Sequence, residues 1–203
     1  MKENNPRGTA FLIDNNGHFL TAYHLVEDLE KVILQLKNSS LSFEAKVVYV
    51  NDSLDLAILA SSYTIKEEIG QAPYRIAKES VQLGDDIYAL GYPKKDIVFT
   101  PGSVSSETGY HSDSLFYEST IPSNAGHSGS PVFNDKGELS GIITAKNVKR
   151  QAVTYILKPE FIANSLDMLS DSLNIILPNP SQKAPKKRKE QIQRYRSFIF
   201  EVH

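Results

Sequence analysis

Short apolar segments recur along the chain, many with alternating polar positions, and turn residues separate them. Such segments, about four to eight residues long and rich in Val, Ile and Tyr, are typical of β-strands. The segment 14–17, Asp-Asn-Asn-Gly, is a hairpin signal because Asn and Gly tolerate positive φ. The first group of predicted strands covers 9–13, 18–22, 31–36, 43–50 and 56–60. After a polar stretch the second group covers 74–77, 86–91, 97–105, 115–121, 131–133, 139–145 and 153–157.

Two groups of roughly six strands predict an all-β fold of two antiparallel barrels, about 7–62 and 72–158, in one domain. A C-terminal helix is predicted over 159–173, since Pro159 suits a first turn and the apolar residues fall on one face. The predicted domain is therefore 1–177. Residues 178–203 are predicted to be a basic linker and tail. The apolar residues within 191–202 leave two alternatives: a strand or helix added to the domain, or the start of a downstream module.

Composition excludes several classes of site. The chain has no cysteine, so a disulfide framework or thiolate zinc site is impossible, and its five histidines lack metal-ligand spacing. We expect no cofactor. A net charge of -2 gives no overall attraction to nucleic acid, and no apolar run is long enough to cross a membrane. With Met1 as the native start, the absence of a signal-like apolar segment predicts a cytoplasmic protein. Without a native Met1, a secreted or periplasmic protein is the alternative.

The strongest chemical signal is the segment 124–131, Asn-Ala-Gly-His-Ser-Gly-Ser-Pro. Nucleophilic acyl transfer needs a hydroxyl on a tight turn with backbone N–H groups facing the developing oxyanion. Glycines on both sides of Ser128 permit that backbone shape. Ser128 is therefore the predicted nucleophile, and the N–H groups of Gly126 and Ser128 are the predicted oxyanion donors.

A serine nucleophile needs a base and an orienting carboxylate. His24 stands at the end of a predicted strand, where its side chain can leave the barrel for a cleft. Asp55 stands at the head of the apolar segment 55–60, whereas its competitor Asp52 lies inside the preceding turn. The order His24, Asp55, Ser128, with each residue at a strand edge, predicts a catalytic triad.

With these residues the chain resembles the trypsin-like serine peptidases, and among them the bacterial HtrA-type and glutamyl-endopeptidase-type branches. The matching segments are 8–13, 20–24, 55–59, 83–93, 101–105, 126–131 and 137–143. The resemblance implies two six-stranded Greek-key barrels, with His24 and Asp55 from the first and Ser128 from the second. The chain departs from the HtrA pattern at His127, to which we assign no role, and by lacking a PDZ module, which puts HtrA-like quality control in doubt.

The resemblance also implies a specificity pocket with walls at 121–125 and 142–145 and a floor near 153–155. The predicted pocket residues are Ser123, Asn124, Ala125, Ile143, Thr144, Ala145 and Thr154. Ile143 stands where glutamyl endopeptidases place a histidine, and the floor region has no Asp or Glu to attract Lys or Arg. We therefore expect a small or medium apolar residue before the scissile bond.

The leading hypothesis is a serine endopeptidase that acts on protein or peptide substrates. The alternative is a catalytically silent module of the same fold that binds or senses a partner. A third reading makes the chain the protease module of a larger bacterial protein, with a downstream domain or an activating partner. Nucleic-acid binding by the basic cluster 186–189 has the least support.

Overall fold

The computed structural model describes residues 7–37, 39–61, 69–122, 124–144, 153–179 and 184–203. Within these ranges the chain forms twelve strands that close into two six-stranded antiparallel barrels. The predicted all-β, two-barrel fold is therefore confirmed. Barrel one contains β1 (Gly8–Leu12), β2 (His18–Ala22), β3 (Lys31–Gln35), β4 (Ser42–Asn51), β5 (Leu56–Ala60) and β12 (Ile199–Val202). Barrel two contains β6 (Asp86–Gly91), β7 (Val98–Ser106), β8 (Phe116–Ser119), β9 (Pro131–Asn134), β10 (Leu139–Thr144) and β11 (Thr154–Leu157).

The two barrels share one Greek-key order. Around barrel two, neighbouring strands run β6, β7, β8, β11, β10 and β9 before the ring closes. Around barrel one the matching order is β12, β1, β2, β5, β4 and β3. The C-terminal strand β12 thus occupies in barrel one the position that the first strand, β6, occupies in barrel two.

This strand corrects the prediction that 178–203 is a linker and tail. β12 pairs with β1, where Gly8 lies opposite Val202, and with β3, where Gln35 lies opposite Glu201. Barrel one therefore closes only with residues from the end of the chain. Of the two alternatives for 191–202, the structure has the segment added to the domain.

An aromatic cluster fills barrel one. The ring of Phe200 lies 5.2 Å from that of Phe19 and 5.6 Å from that of Phe43, both in edge-to-face geometry. All three side chains are buried. They lie on β2, β4 and β12. Their rings meet inside the barrel because alternate side chains of a strand point inward. The C-terminal strand therefore supplies part of the core of barrel one.

Helix α1 (Pro159–Leu173) follows β11 and has the predicted bounds. Its buried face includes Ile162 and Leu166, and Asn174 ends it in the left-handed conformation that commonly terminates helices. Helix α2 (Arg188–Tyr195) lies within the predicted tail and leads through a short 3-10 turn into β12. The predicted strand 74–77 is not formed as such, since it makes only an isolated bridge between Ile76 and Leu139.

Helix α2 is held against barrel two by buried polar contacts. Tyr195 donates to the carbonyl of Gly137 at 2.8 Å, and Tyr88 donates to Gln191 at 3.0 Å. The C-terminal segment therefore contacts barrel two through α2 before it enters barrel one as β12.

No helix within the described ranges is both long enough and apolar enough to span a membrane.

Candidate active site

The pairing of β2 with β5 brings His24 and Asp55 together. In this antiparallel ladder Ala22 lies opposite Leu56, and the N–H of Tyr23 continues the ladder to the carbonyl of Asp55 at 3.1 Å. His24 follows in a 3-10 turn over Tyr23–Leu25. Asp55 ends the turn before β5 with a positive φ of 50°. Two residues distant in sequence are thus placed side by side by strand register.

The carboxylate of Asp55 holds the imidazole of His24. The His24 Nδ1 atom lies 3.0 Å from Oδ1 and 2.9 Å from Oδ2, and the backbone N–H of His24 donates to Oδ1 at 3.0 Å. Asp55 is only 3% exposed, whereas 33% of the His24 side chain is accessible. A buried carboxylate that accepts from Nδ1 fixes the tautomer that leaves Nε2 as a base on the open side. Asp52 is exposed instead, and its carbonyl accepts the N–H of Asp55.

The serine segment consists of two successive tight turns. The N–H of His127 donates to the carbonyl of Asn124 at 3.1 Å, and that of Ser130 donates to the carbonyl of His127 at 2.9 Å. Gly126 and Gly129 occupy the third position of these turns with φ of 90° and 79°. A type II turn requires positive φ at that position, which explains the glycine spacing around the serine.

These turns leave two backbone donors unused. Among the described residues, the N–H groups of Gly126 and Ser128 have no hydrogen-bond acceptor, while the N–H of Gly129 donates to Ile143 at 2.8 Å. Ser128 itself is partly exposed. A partly exposed hydroxyl beside two unpaired backbone N–H groups is the arrangement that nucleophilic attack on a carbonyl requires.

Contacts of β1 bring the serine segment to the barrel that carries His24. The N–H of Thr9 donates to the carbonyl of Ser128 at 2.9 Å. A Cβ on Gly8 would lie 2.4 Å from a methyl group of Leu25, the neighbour of His24, and 2.8 Å from Ser128 O. Only glycine allows this approach of the two segments. In the described parts of the chain the His24 ring bonds to Asp55 alone and Ser128 Oγ makes no hydrogen bond, as is common in a free enzyme.

His127 lies beside the serine, and sequence reasoning gave it no role. Its ring is buried, and Nε2 lies 3.1 Å from Thr100 Oγ1 in β7. The other ring nitrogen is buried with no hydrogen-bond partner in the described structure. Burial lowers the pKa of His127, and an interaction with the backbone of Asn124 only partly opposes that effect. The His127 ring therefore packs the serine segment against β7 of barrel two.

The predicted pocket residues differ in exposure. Ile143, Thr144 and Thr154 are buried, and the Thr154 hydroxyl donates to the carbonyl of Ile121 at 2.5 Å. Asn124 and Ala125 are exposed at the rim of the serine turn. Ser123 and Ala145 lie outside the described residues. Ile143 also exchanges two backbone hydrogen bonds with the segment after Ser128, which places β10, the strand of two predicted pocket residues, next to the predicted nucleophile.

Sequence reasoning missed two residues that hold this site. The Thr9 hydroxyl bonds to both the carbonyl of Gly126 and the N–H of Tyr92, and no local pattern could show a contact between two barrels. Tyr92 in turn donates from its own hydroxyl to the carbonyl of Ile199 in β12 at 3.2 Å.

Among the described residues, no group of three or more His, Asp or Glu side chains has the geometry to hold a metal ion.

Comparison with known proteins confirms the resemblance inferred from the sequence. The profile of the family "Trypsin-like peptidase domain" matches residues 8–142, more than half of the chain. A probable periplasmic serine endoprotease of DegP-like type from Ectopseudomonas mendocina is 33% identical over 147 residues, which cover 70% of this chain and 30% of that protein. The serine endoprotease DegS of Haemophilus influenzae is 28% identical over 146 residues, covering 69% of this chain and 42% of that protein.

Solved structures give the same result. The serine endoprotease from Yersinia pestis aligns with a TM-score of 0.66 and 26% identity, over 80% of this chain and 57% of that one. The chain spans less than half the length of the curated relatives described above.

The predicted cytoplasmic location is wrong on this comparison, because several relatives are described as periplasmic endoproteases.

Proposed function

Because the chain belongs to the trypsin-like peptidase family, we propose that it is a serine endopeptidase with His24, Asp55 and Ser128 as its catalytic triad. One observation carries the proposal. Among the described residues the N–H groups of Gly126 and Ser128 are unpaired beside the partly exposed Ser128, and the buried carboxylate of Asp55 holds the accessible imidazole of His24. The relatives' descriptions as serine endoproteases support this reading of the geometry.

The proposed reaction has two half-reactions. His24 Nε2 takes the proton of the Ser128 hydroxyl as its oxygen attacks the scissile carbonyl carbon. The negative charge that develops on the carbonyl oxygen is stabilised by the N–H groups of Gly126 and Ser128. Proton transfer from the imidazolium to the leaving nitrogen breaks the C–N bond and leaves an acyl-enzyme. His24 then takes a proton from water as the water oxygen adds to the ester. The imidazolium returns that proton to Ser128 Oγ as the C–O bond breaks, which releases the new carboxylic acid and restores the enzyme.

We propose that the residue before the scissile bond is small or medium and apolar. The walls that support this are Ile143 and Thr144 in β10 and Thr154 in β11. The Thr154 hydroxyl is engaged by the carbonyl of Ile121 and is not turned toward a substrate side chain. None of the described pocket residues carries a charge, so a charged substrate side chain would lose hydration without gaining a partner.

The substrate is proposed to be a protein or peptide. We expect neither nucleic acid nor a membrane as a partner, since the net charge of -2 gives the chain no overall attraction to polyanions or acidic membranes. The C-terminal segment is proposed to be part of the peptidase domain, because β12 closes barrel one. The descriptions of the relatives support a periplasmic setting.

Labelling with a fluorophosphonate probe tests the proposal against the silent-module alternative. Such probes react with activated serines, so we expect one modified residue, Ser128, identified by mass spectrometry after digestion. Ser128→Ala and His24→Ala should abolish labelling, while Ser140→Ala, which removes a buried hydroxyl in β10, should retain it. A folded wild-type chain that is not labelled at Ser128 would favour the silent module.

A further inference from the structure

We propose that Thr9 is a positioning residue for the oxyanion site, a role that rests on the proposed peptidase function. Its hydroxyl holds the carbonyl of Gly126 and thereby keeps the N–H of Gly126 turned toward the substrate. Thr9 belongs to β1 in barrel one, whereas Gly126 belongs to the serine segment of barrel two. One barrel thus sets the geometry of a donor in the other.

The direction of the hydrogen bonds at Thr9 follows from its partners. Thr9 Oγ1 lies 2.9 Å from the backbone nitrogen of Tyr92 and 3.0 Å from the carbonyl oxygen of Gly126. A backbone N–H can only donate and a carbonyl oxygen can only accept. The Thr9 hydroxyl therefore accepts the N–H of Tyr92 and donates its single proton to the carbonyl of Gly126. Its one donor is thus used in the bond to the serine segment.

This bond fixes a peptide group that has little other restraint. The planar group joining Gly126 to His127 has its oxygen held by Thr9 and its N–H held by the carbonyl of Asn124 at 3.1 Å. Gly126 has no Cβ to limit its rotation, and its φ is 90°. With both polar atoms of that group fixed, the neighbouring N–H of Gly126 keeps one orientation. Without the Thr9 bond, the turn bond to Asn124 would be the remaining hydrogen bond of that group among the described residues.

Thr9 is itself held rigidly. The side chain is fully buried, the backbone N–H donates to the carbonyl of Ser128 at 2.9 Å, and the backbone carbonyl accepts from Thr21 Oγ1 at 2.8 Å. Thr9 therefore contacts the carbonyl groups of both proposed oxyanion donors, Gly126 and Ser128. Its pairing with Glu201 in β12 adds support from the C-terminal strand.

The test is the kinetics of Thr9→Val and Thr9→Ser on a peptide substrate. Valine keeps the shape of threonine but cannot donate to Gly126, so we expect kcat to fall about 10- to 100-fold with KM within about twofold. The affinity for a peptide boronate, which places an oxygen in the oxyanion site, should fall by a similar factor. Serine keeps the hydroxyl, so Thr9→Ser should restore kcat to within about threefold of the wild-type value.

Ser140→Ala is the matched control, because it removes a buried hydroxyl that bonds to the carbonyl of Val132, outside the serine segment. It should leave kcat unchanged. If Thr9→Val does not fold, Thr9→Cys carries the test: the thiol is a weak donor, and kcat should fall below that of Thr9→Ser. Wild-type kcat in the valine or cysteine variant would overturn the role of Thr9 while leaving the peptidase proposal intact. A folded wild-type chain with no Ser128-dependent hydrolysis would overturn both.

Discussion

Both carboxylate oxygens of Asp55 lie within 3.0 Å of His24 Nδ1, and one of them also accepts the backbone N–H of His24. The imidazole is thus held at its ring and at its backbone by one buried side chain. This relationship orients the proposed base, His24, before any substrate binds.

Asp55→Asn should reduce kcat by about four orders of magnitude, the loss known for this substitution in serine peptidase triads, because an amide favours the wrong histidine tautomer. The measurement is steady-state hydrolysis of a fluorogenic peptide. Asp52→Asn is the matched control, since Asp52 is exposed in the same turn and should tolerate the change. Comparable losses in the two variants would contradict the assignment of Asp55 as the triad acid.

Gly126→Ala should lower kcat by at least about 100-fold. Its φ is 90°, and a Cβ there would lie 2.3 Å from the carbonyl oxygen of Tyr92, so the turn that presents the proposed oxyanion donor must shift. Gly84 has a similar φ of 88° but nothing within 4 Å of a Cβ. Gly84→Ala is therefore the control for backbone strain without a steric clash. It should lower the free energy of unfolding by about 1 kcal/mol and leave kcat unchanged. Equal activity of the two variants would argue against an oxyanion role for Gly126.

Stability should fall as the pH drops below about 6.5, the ordinary pKa of histidine, in part because of His127. Burial lowers the pKa of His127 in the folded chain. Below the ordinary pKa the unfolded chain binds a proton that the folded chain does not, so acid favours unfolding. Urea unfolding at pH 7.5 and 5.0 measures the change. His127→Asn should lose less stability between these two values than the wild-type chain, and an unchanged difference would show that His127 does not contribute.

Phe200→Ala should lower the free energy of unfolding by about 3–5 kcal/mol, because the ring is buried against Phe19 and Phe43 within barrel one. Met168 on α1 is 67% exposed, and Met168→Ala should change stability by less than about 0.5 kcal/mol. Chemical denaturation gives both values. A loss below about 1 kcal/mol at Phe200 would mean that the C-terminal strand is not part of the barrel-one core.

The sequence predicted most strands because they are short, largely apolar segments and the turns between them carry Gly, Asn or Asp. Strands β2, β5 and β6 and helix α1 have the predicted bounds. The position of β12 could not be predicted, since a short apolar segment after a basic run gives no sign of which strand it pairs with. Its partner β1 lies at the other end of the chain. The segment 74–77 has strand-like composition but only one bridge partner.

The candidate site was predicted to the extent that local motifs encode it. The glycines around Ser128 and the strand edges at His24 and Asp55 are visible in the sequence. The contact of Thr9 with Gly126 arises only when the two barrels pack together, and the contact of the buried His127 ring with Thr100 arises only when the serine segment folds against β7. A threonine in an apolar strand and a histidine in a turn have ordinary structural explanations, so no local pattern distinguishes them.

The most direct measurement is the hydrolysis of a panel of unfolded proteins and peptides by the wild-type chain and Ser128→Ala at equal concentration. The proposal predicts new N-termini from the wild-type chain, located by mass spectrometry mainly after small or medium apolar residues, and none above background from Ser128→Ala. Cleavage that persists in folded Ser128→Ala, or its absence from the folded wild-type chain on every substrate, would contradict a serine endopeptidase.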